Sequence, residues 1–168
     1  RLLEMTIAEF TDQRLSSSAL ADYAQLFMDI RIVHYDFFES GAELLSGLRE
    51  AFTLVLITNG PLFSQAPKIK RVKMHDYMDH VIIGGTLEQE KPHPSIFKLA
   101  CTKAGCRPAE ALHVGDRLDA DIRGANNAGI ASVWINPEQQ PIPEDPRPTY
   151  SIPIITRLPE IINQICPS

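Results

Sequence analysis

Three short stretches of this sequence carry residue types suited to holding an anion beside a cation. They are Thr58-Asn59-Gly60, Lys91-Pro92, and ALHVGDRLDADIRGANNAG over residues 111–129, with Asp116 and Asp121. The Thr58 hydroxyl and the backbone N–H groups of Asn59 and Gly60 can donate to an oxyanion. Gly60 permits close backbone approach, and Pro61 can open a helix whose N-terminus points the same way. Lys91 offers a point positive charge. Asp116 follows an apolar run, so it falls at a strand end. A carboxylate there suits a hard cation such as Mg²⁺, which binds oxygen and takes few protein ligands. That stretch alone leaves open whether Asp116 holds a cation or caps the helix over residues 119–128, since an acid near a helix N-terminus is stabilised in any case. Asp121 falls in the first turn of the same helix. An anion clamp beside a cation is what phosphoryl transfer needs, because its catalysis is mostly positioning and charge stabilisation. Each stretch is weak by itself; the ordered set is far more specific.

The elements that must position these residues follow from periodicity. Residues 1–33 read as helical, with Leu20, Tyr23, Ala24, Phe27 and Ile30 as a core-facing stripe and Ser17 or Ser18 as the cap. Residues 34–41, HYDFFESG, break the period, and a second amphipathic helix starts at Glu43. Residues 52–57, FTLVLI, read as a strand buried on both faces. The helix from Pro61 to about Met74 carries Lys68, Lys70, Arg71 and Lys73 on a solvated face. Residues 80–83 form a strand closed by Gly84-Gly85. His93 caps a helix that begins at Pro94, shows Phe97, Ala100, Cys101 and Ala104 on one side, and stops at Gly105. A strand over 111–114, a helix closed by Gly129, and a strand over 131–135 come next. Residues 137–153 are proline-rich and read as irregular, and residues 158–165 as a final helix. Strands alternating with helices predict an α/β fold, a Rossmann-like doubly wound parallel sheet. Right-handed crossovers then put every strand's carboxyl end on one edge, which gathers Thr58, the loop over 84–91 and Asp116.

Composition narrows the function. The 168 residues are 44% hydrophobic, enough for a real core. A net charge of −5 argues against a nucleic-acid partner, which demands a basic face. No apolar run reaches membrane-spanning length. Cys101, Cys106 and Cys166 show no metal-ligand spacing and leave one thiol over, which suits a reducing, cytoplasmic setting. Cys101 reads as a small core residue.

Residues 38–135 resemble the haloacid dehalogenase (HAD) superfamily, and within it the phosphatases with a helical cap inserted after the first strand. LVLITNG is similar to the family's second motif, the KP of EKPHPSIF to its third, and HVGDRLDADIRGANNAG to its fourth. The resemblance implies an HAD-type core over residues 40–168 and part of a helical cap over residues 1–39. It implies that Thr58, with Asn59 and Gly60, binds the transferring phosphoryl group, and that Lys91 stabilises nucleophile and phosphate charge. Asp116 would ligate Mg²⁺, and Asp121 would support the site from behind. The implied activity is Mg²⁺-dependent hydrolysis of a small phosphorylated metabolite through an aspartyl-phosphate. Lys91→Ala is then expected to harm turnover far more than stability. One departure is large: the family's first motif, Asp-x-Asp-x-Thr, which carries the nucleophile and the acid/base, occurs nowhere in the sequence. The only Asp-x-Asp is Asp119-Ala120-Asp121, inside the fourth motif. The chain therefore reads as an N-terminally incomplete core that lacks its first strand and is inactive alone. Two other readings stay open: a non-catalytic binding or scaffold protein of the same fold, and a metal-free haloacid dehalogenase.

Overall fold

The computed structural model describes residues 16–166, so the helical reading of residues 1–15 lies outside the described residues. Helix α1 runs Ser17–Val33. Its cap is Ser16, one residue before the two expected, because Ser16 is the last residue in extended backbone and its Oγ accepts from the Ala19 N–H at 3.2 Å. The expected core-facing stripe is not packed. Tyr23, Phe27 and Ile30 are each about half exposed, and no α1 residue is buried. Helix α2, Gly41–Arg49, starts two residues before the expected Glu43.

Strand β1 is Val55–Thr58, shorter than the apolar run from Phe52, and leads through Pro61 into helix α3, Leu62–Arg71. Strand β2, His80–Ile83, pairs with β1 in parallel, Thr58 opposite Ile83. Helix α4, Pro94–Ala104, has His93 as its N-cap, Pro94 in its first turn and Gly105 at φ +70° as its left-handed stop, all as the sequence predicts. Strand β3 is Leu112–Gly115. The expected helix over residues 119–128 is divided. Leu118–Ile122 makes a wide turn, with the Ile122 N–H reaching back five residues to the Arg117 carbonyl at 3.3 Å, and only Arg123–Asn127 is α-helix α5. Strand β4, Ala131–Ile135, follows.

The proline-rich segment is not wholly irregular. Tyr150–Ile152 forms a short edge strand β5, parallel to β4, in which Trp134 faces Ser151. Three residues are too few to show a period, and the surrounding prolines hid it. Helix α6, Leu158–Ile165, follows β5.

All strand pairs are parallel, but the strands form two sheets, β1-β2 and β3-β4-β5. Helices cover both faces. One core joins Ile82, Ile96, Phe97, Ala100, Cys101, Ala125 and Ile130 between the sheets and α4–α5. A second joins Val133, Ile152, Leu158 and Ile161, with Leu48, Leu112 and Val114 packed on it, beneath α6 and α2. This is the doubly wound α/β arrangement, interrupted once. Between β1 and β3 lies a cavity of about 690 Å³ lined by Val55, Ile57, Leu112, His113 and Val114, with Phe97 on one face and Ile162 on the other. Among the described residues neither strand is paired on that side. Strand β1, expected to be buried on both faces, is therefore only half buried, and β3 likewise. Unpaired strand edges facing an apolar interior are costly, so this slot has the character of a seat for another strand.

Candidate active site

The carboxyl ends of β1 and β3 flank the mouth of the slot, and the loop before α4 crosses between them. Lys91, in that loop, sends its ammonium to the Ile57 carbonyl at 3.0 Å and to Asp121 Oδ1 at 2.7 Å. It thus ties β1 to the turn after β3. An ammonium has three N–H donors, so one is left for the edge. Asn59 fixes this lysine from the backbone side. Its Nδ2 donates to the Lys91 carbonyl at 2.8 Å and its Oδ1 accepts from the Lys91 N–H at 3.0 Å. The Asn59 side chain therefore positions Lys91, a role separate from that expected of its backbone N–H. Thr58 ends β1 with its hydroxyl 3.3 Å from the Asn59 carbonyl.

The Gly60 N–H, expected to meet an oxyanion, meets one already: it donates to the Glu90 carboxylate at 3.2 Å. Glu90 folds into the space beside Gly84, where a Cβ would stand 3.0 Å from Glu90 Cγ. Glu90 was not singled out in the sequence. The signal available was an acid next to the lysine in a loop that opens with two glycines.

Asp121 is the hub of the site. Its Oδ1 takes Lys91 and also His113 Nε2 at 3.3 Å, and its Oδ2 accepts from the Arg117 N–H at 3.0 Å. The side chain comes so close to β3 that a Cβ on Gly115 would lie 2.4 Å from Asp121 Cγ, which explains a glycine just before Asp116. The wide turn supplies the extra residue that swings the carboxylate back. Burial raises the affinity of Asp121 for a proton, but the bonds from His113 and Lys91, the charge of Lys91 and the Arg117 N–H outweigh it and hold the carboxyl well below the usual range. The sign for stability follows. A carboxyl depressed in the folded state contributes stability that is present above its unfolded value of about 4 and is lost as pH falls further. Urea midpoints measured downward from pH 5 should therefore fall in this chain and fall less steeply in Asp121→Asn; parallel curves would show that Asp121 is not the acid-sensitive group.

Lys91 and Asp121 are 11% and 5% exposed, so this is a buried ion pair. That corrects the expectation that Lys91 serves charge and not stability: removing either partner strands the other in a low dielectric. Asp116, by contrast, is exposed, and among the described residues its carboxylate has no bond. It caps nothing, since the turn after it has no side-chain cap. Trp134 Nε1 donates to the Asp116 carbonyl at 3.1 Å and pins its backbone. An uncommitted anionic oxygen donor held on a rigid turn fits a hard cation. Among the described residues no three His, Cys, Asp or Glu side chains gather. Asp119 is a surface residue, as expected, 3.4 Å from Arg123. Among the described residues no helix is long and apolar enough to cross a membrane.

Residues 7–129 match the family described as haloacid dehalogenase-like hydrolase. Human N-acylneuraminate-9-phosphatase is 37% identical over 142 residues, 83% of this chain and 57% of that protein. Glyceraldehyde 3-phosphate phosphatase of Methanopyrus kandleri is 36% identical over 126 residues, 72% of this chain and 54% of that protein. The chain thus spans a little over half the length of these curated relatives. Among solved structures, the HAD-hydrolase YfnB of Bacillus subtilis, bound to magnesium, superposes with a TM-score of 0.82 at 22% identity, covering 95% of this chain and 69% of that one.

Proposed function

Because the chain belongs to the haloacid dehalogenase-like hydrolases, we propose that it forms most of a Mg²⁺-dependent phosphomonoester hydrolase acting on a small phosphorylated metabolite. The observation that carries this reading is Lys91. Its ammonium joins the Ile57 carbonyl, next to Thr58 at the end of β1, to Asp121 in the turn that follows Asp116. In this reading the Thr58 hydroxyl and the adjoining backbone N–H groups of Asn59 and Gly60 bind the phosphoryl oxygens, Gly60 only once Glu90 yields its N–H. Lys91 neutralises charge on the nucleophile and the phosphate. Asp116 holds the metal, and Asp121 holds Lys91. A bound Mg²⁺ would offset the negative charge of the phosphoryl oxygens and so open the phosphorus to attack by an anionic nucleophile. The nucleophilic aspartate and its acid/base partner enter on the strand that fills the slot, and hydrolysis proceeds through an aspartyl-phosphate. Residues 40–168 then belong to the core and residues 1–39 to part of a helical cap. Free Cys101, Cys106 and Cys166 fit a cytoplasmic protein.

The substrate class rests on the relatives, whose names specify a sugar-acid phosphate and a triose phosphate. The protein with its slot filled should hydrolyse an aryl phosphate and small phosphate monoesters, lose that activity on chelation, and regain it with added Mg²⁺. Activity indifferent to chelator, with halide released from a 2-haloacid, supports the metal-free dehalogenase instead. No turnover of either, with the slot filled, supports the scaffold.

A further inference from the structure

His113 lies in the middle of β3, where its neighbours Leu112 and Val114 face the other core. Alternation along the strand turns its ring toward α4 and the wide turn. Nε2 there stands 3.3 Å from Asp121 Oδ1, the same oxygen that takes Lys91 at 2.7 Å. An ionised carboxylate only accepts hydrogen bonds, so the contact requires the proton on Nε2. The ring is itself held. It stands edge to face with Phe97 at 4.9 Å and 79°, and Phe97, on α4, is fully buried with its ring against Gly124. A chain of contacts therefore runs from the packed core to the site: Phe97 orients His113, His113 and the Arg117 N–H fix both oxygens of Asp121, and Asp121 aims Lys91.

We propose that His113 is a positioning residue for the reaction: by occupying the second lone-pair direction of Asp121 Oδ1, it fixes the carboxylate and so the direction of the Lys91 ammonium. Without it, Oδ1 has only the Lys91 ammonium as a partner, and the carboxylate can turn about its Oδ2 bond to the Arg117 N–H. The consequence for catalysis rests on the phosphatase reading; the consequence for Lys91 does not. A positioned charge stabilises a transition state better than a roaming one, so losing His113 lowers kcat and leaves KM nearly unchanged.

The test uses the protein with its slot filled and compares His113→Phe, which keeps an aromatic ring but cannot donate, with His113→Gln, which can still donate to Oδ1. The first readout is the Lys91 ammonium signal in ¹⁵N–¹H NMR and its exchange with water. The second is kcat and KM on an aryl phosphate. His113→Phe should speed ammonium exchange several-fold and lower kcat by about tenfold, the scale of losing a supporting partner of a site residue, with KM within about twofold. His113→Gln should restore both. If His113→Phe does not fold, His113→Asn, polar but too short to reach Oδ1, should show the same losses at a measured melting temperature. Wild-type exchange in His113→Phe or His113→Asn overturns the proposal, as does equal loss in His113→Gln. Absence of phosphatase activity in every form counts against the proposed function, and the ammonium signal then decides the role of His113 by itself.

Discussion

Asp116→Asn is expected to abolish phosphatase activity in the protein with its slot filled while leaving its fold intact. The reason is the contrast between its side chain and its backbone. The carboxylate is exposed and, among the described residues, unbonded, whereas the carbonyl is anchored by Trp134. An exposed change of this kind shifts stability by no more than about 0.5 kcal/mol. The carboxamide keeps the shape but removes the charge that a hard cation requires. Loss of one preorganised electrostatic contact lowers kcat by about 10²-fold or more. Kinetics on an aryl phosphate, Mg²⁺ titration by calorimetry and thermal melts read the three quantities separately. Equal Mg²⁺ affinity and activity in the variant would remove Asp116 from the site.

Lys91→Ala is expected to damage both activity and stability, and the stability loss is what distinguishes the buried pair from a surface lysine. Asp121, buried, would be left with His113 and the Arg117 N–H but no counter-charge. Breaking one partner of a buried ion pair costs about 3–5 kcal/mol, whereas replacing both is much milder. Lys91→Met combined with Asp121→Asn should therefore unfold at higher urea than Lys91→Ala alone, a non-additivity expected of residues in contact. Both proteins should be inactive. If Lys91→Ala unfolds at the wild-type urea concentration, the ion pair is not the tie between β1 and the turn after β3 described above.

Thr58 and Asp116 were singled out in the sequence because glycines mark the strand ends beside them, and Lys91 and Asp121 because the ordered set of stretches resembles the family's motifs. The alternation of apolar runs and helical patterns likewise announced the parallel α/β layering. What could not be read depends on contacts between distant segments. His113 looks like one more member of an apolar strand run, and only the side of β3 it faces makes it a partner of Asp121. Glu90 and Trp134 act on Gly60 and Asp116 across gaps of 30 and 18 residues, with no local pattern to announce them. The α1 stripe of Tyr23, Phe27 and Ile30 has helical spacing, which states that a face is apolar but not what covers it. The division of the sheet is the converse case. The absence of Asp-x-Asp-x-Thr was visible in the sequence, whereas the gap between β1 and β3 became visible only as the cavity between Val55–Ile57 and Leu112–Val114.

The central claim is that this chain holds a phosphate clamp, a metal ligand and a positioned lysine around a seat for a strand that brings the nucleophile. It is tested most directly by assaying the 168-residue chain beside a form lengthened by whatever its gene encodes upstream of Arg1, with aryl phosphate and Mg²⁺. The account predicts no hydrolysis by the short chain. It predicts hydrolysis by a longer chain that contains Asp-x-Asp-x-Thr, abolished when the first aspartate of that motif is changed to asparagine. Hydrolysis by the short chain, lost on mutating an acid within it, would contradict the account and place the nucleophile among the residues described above.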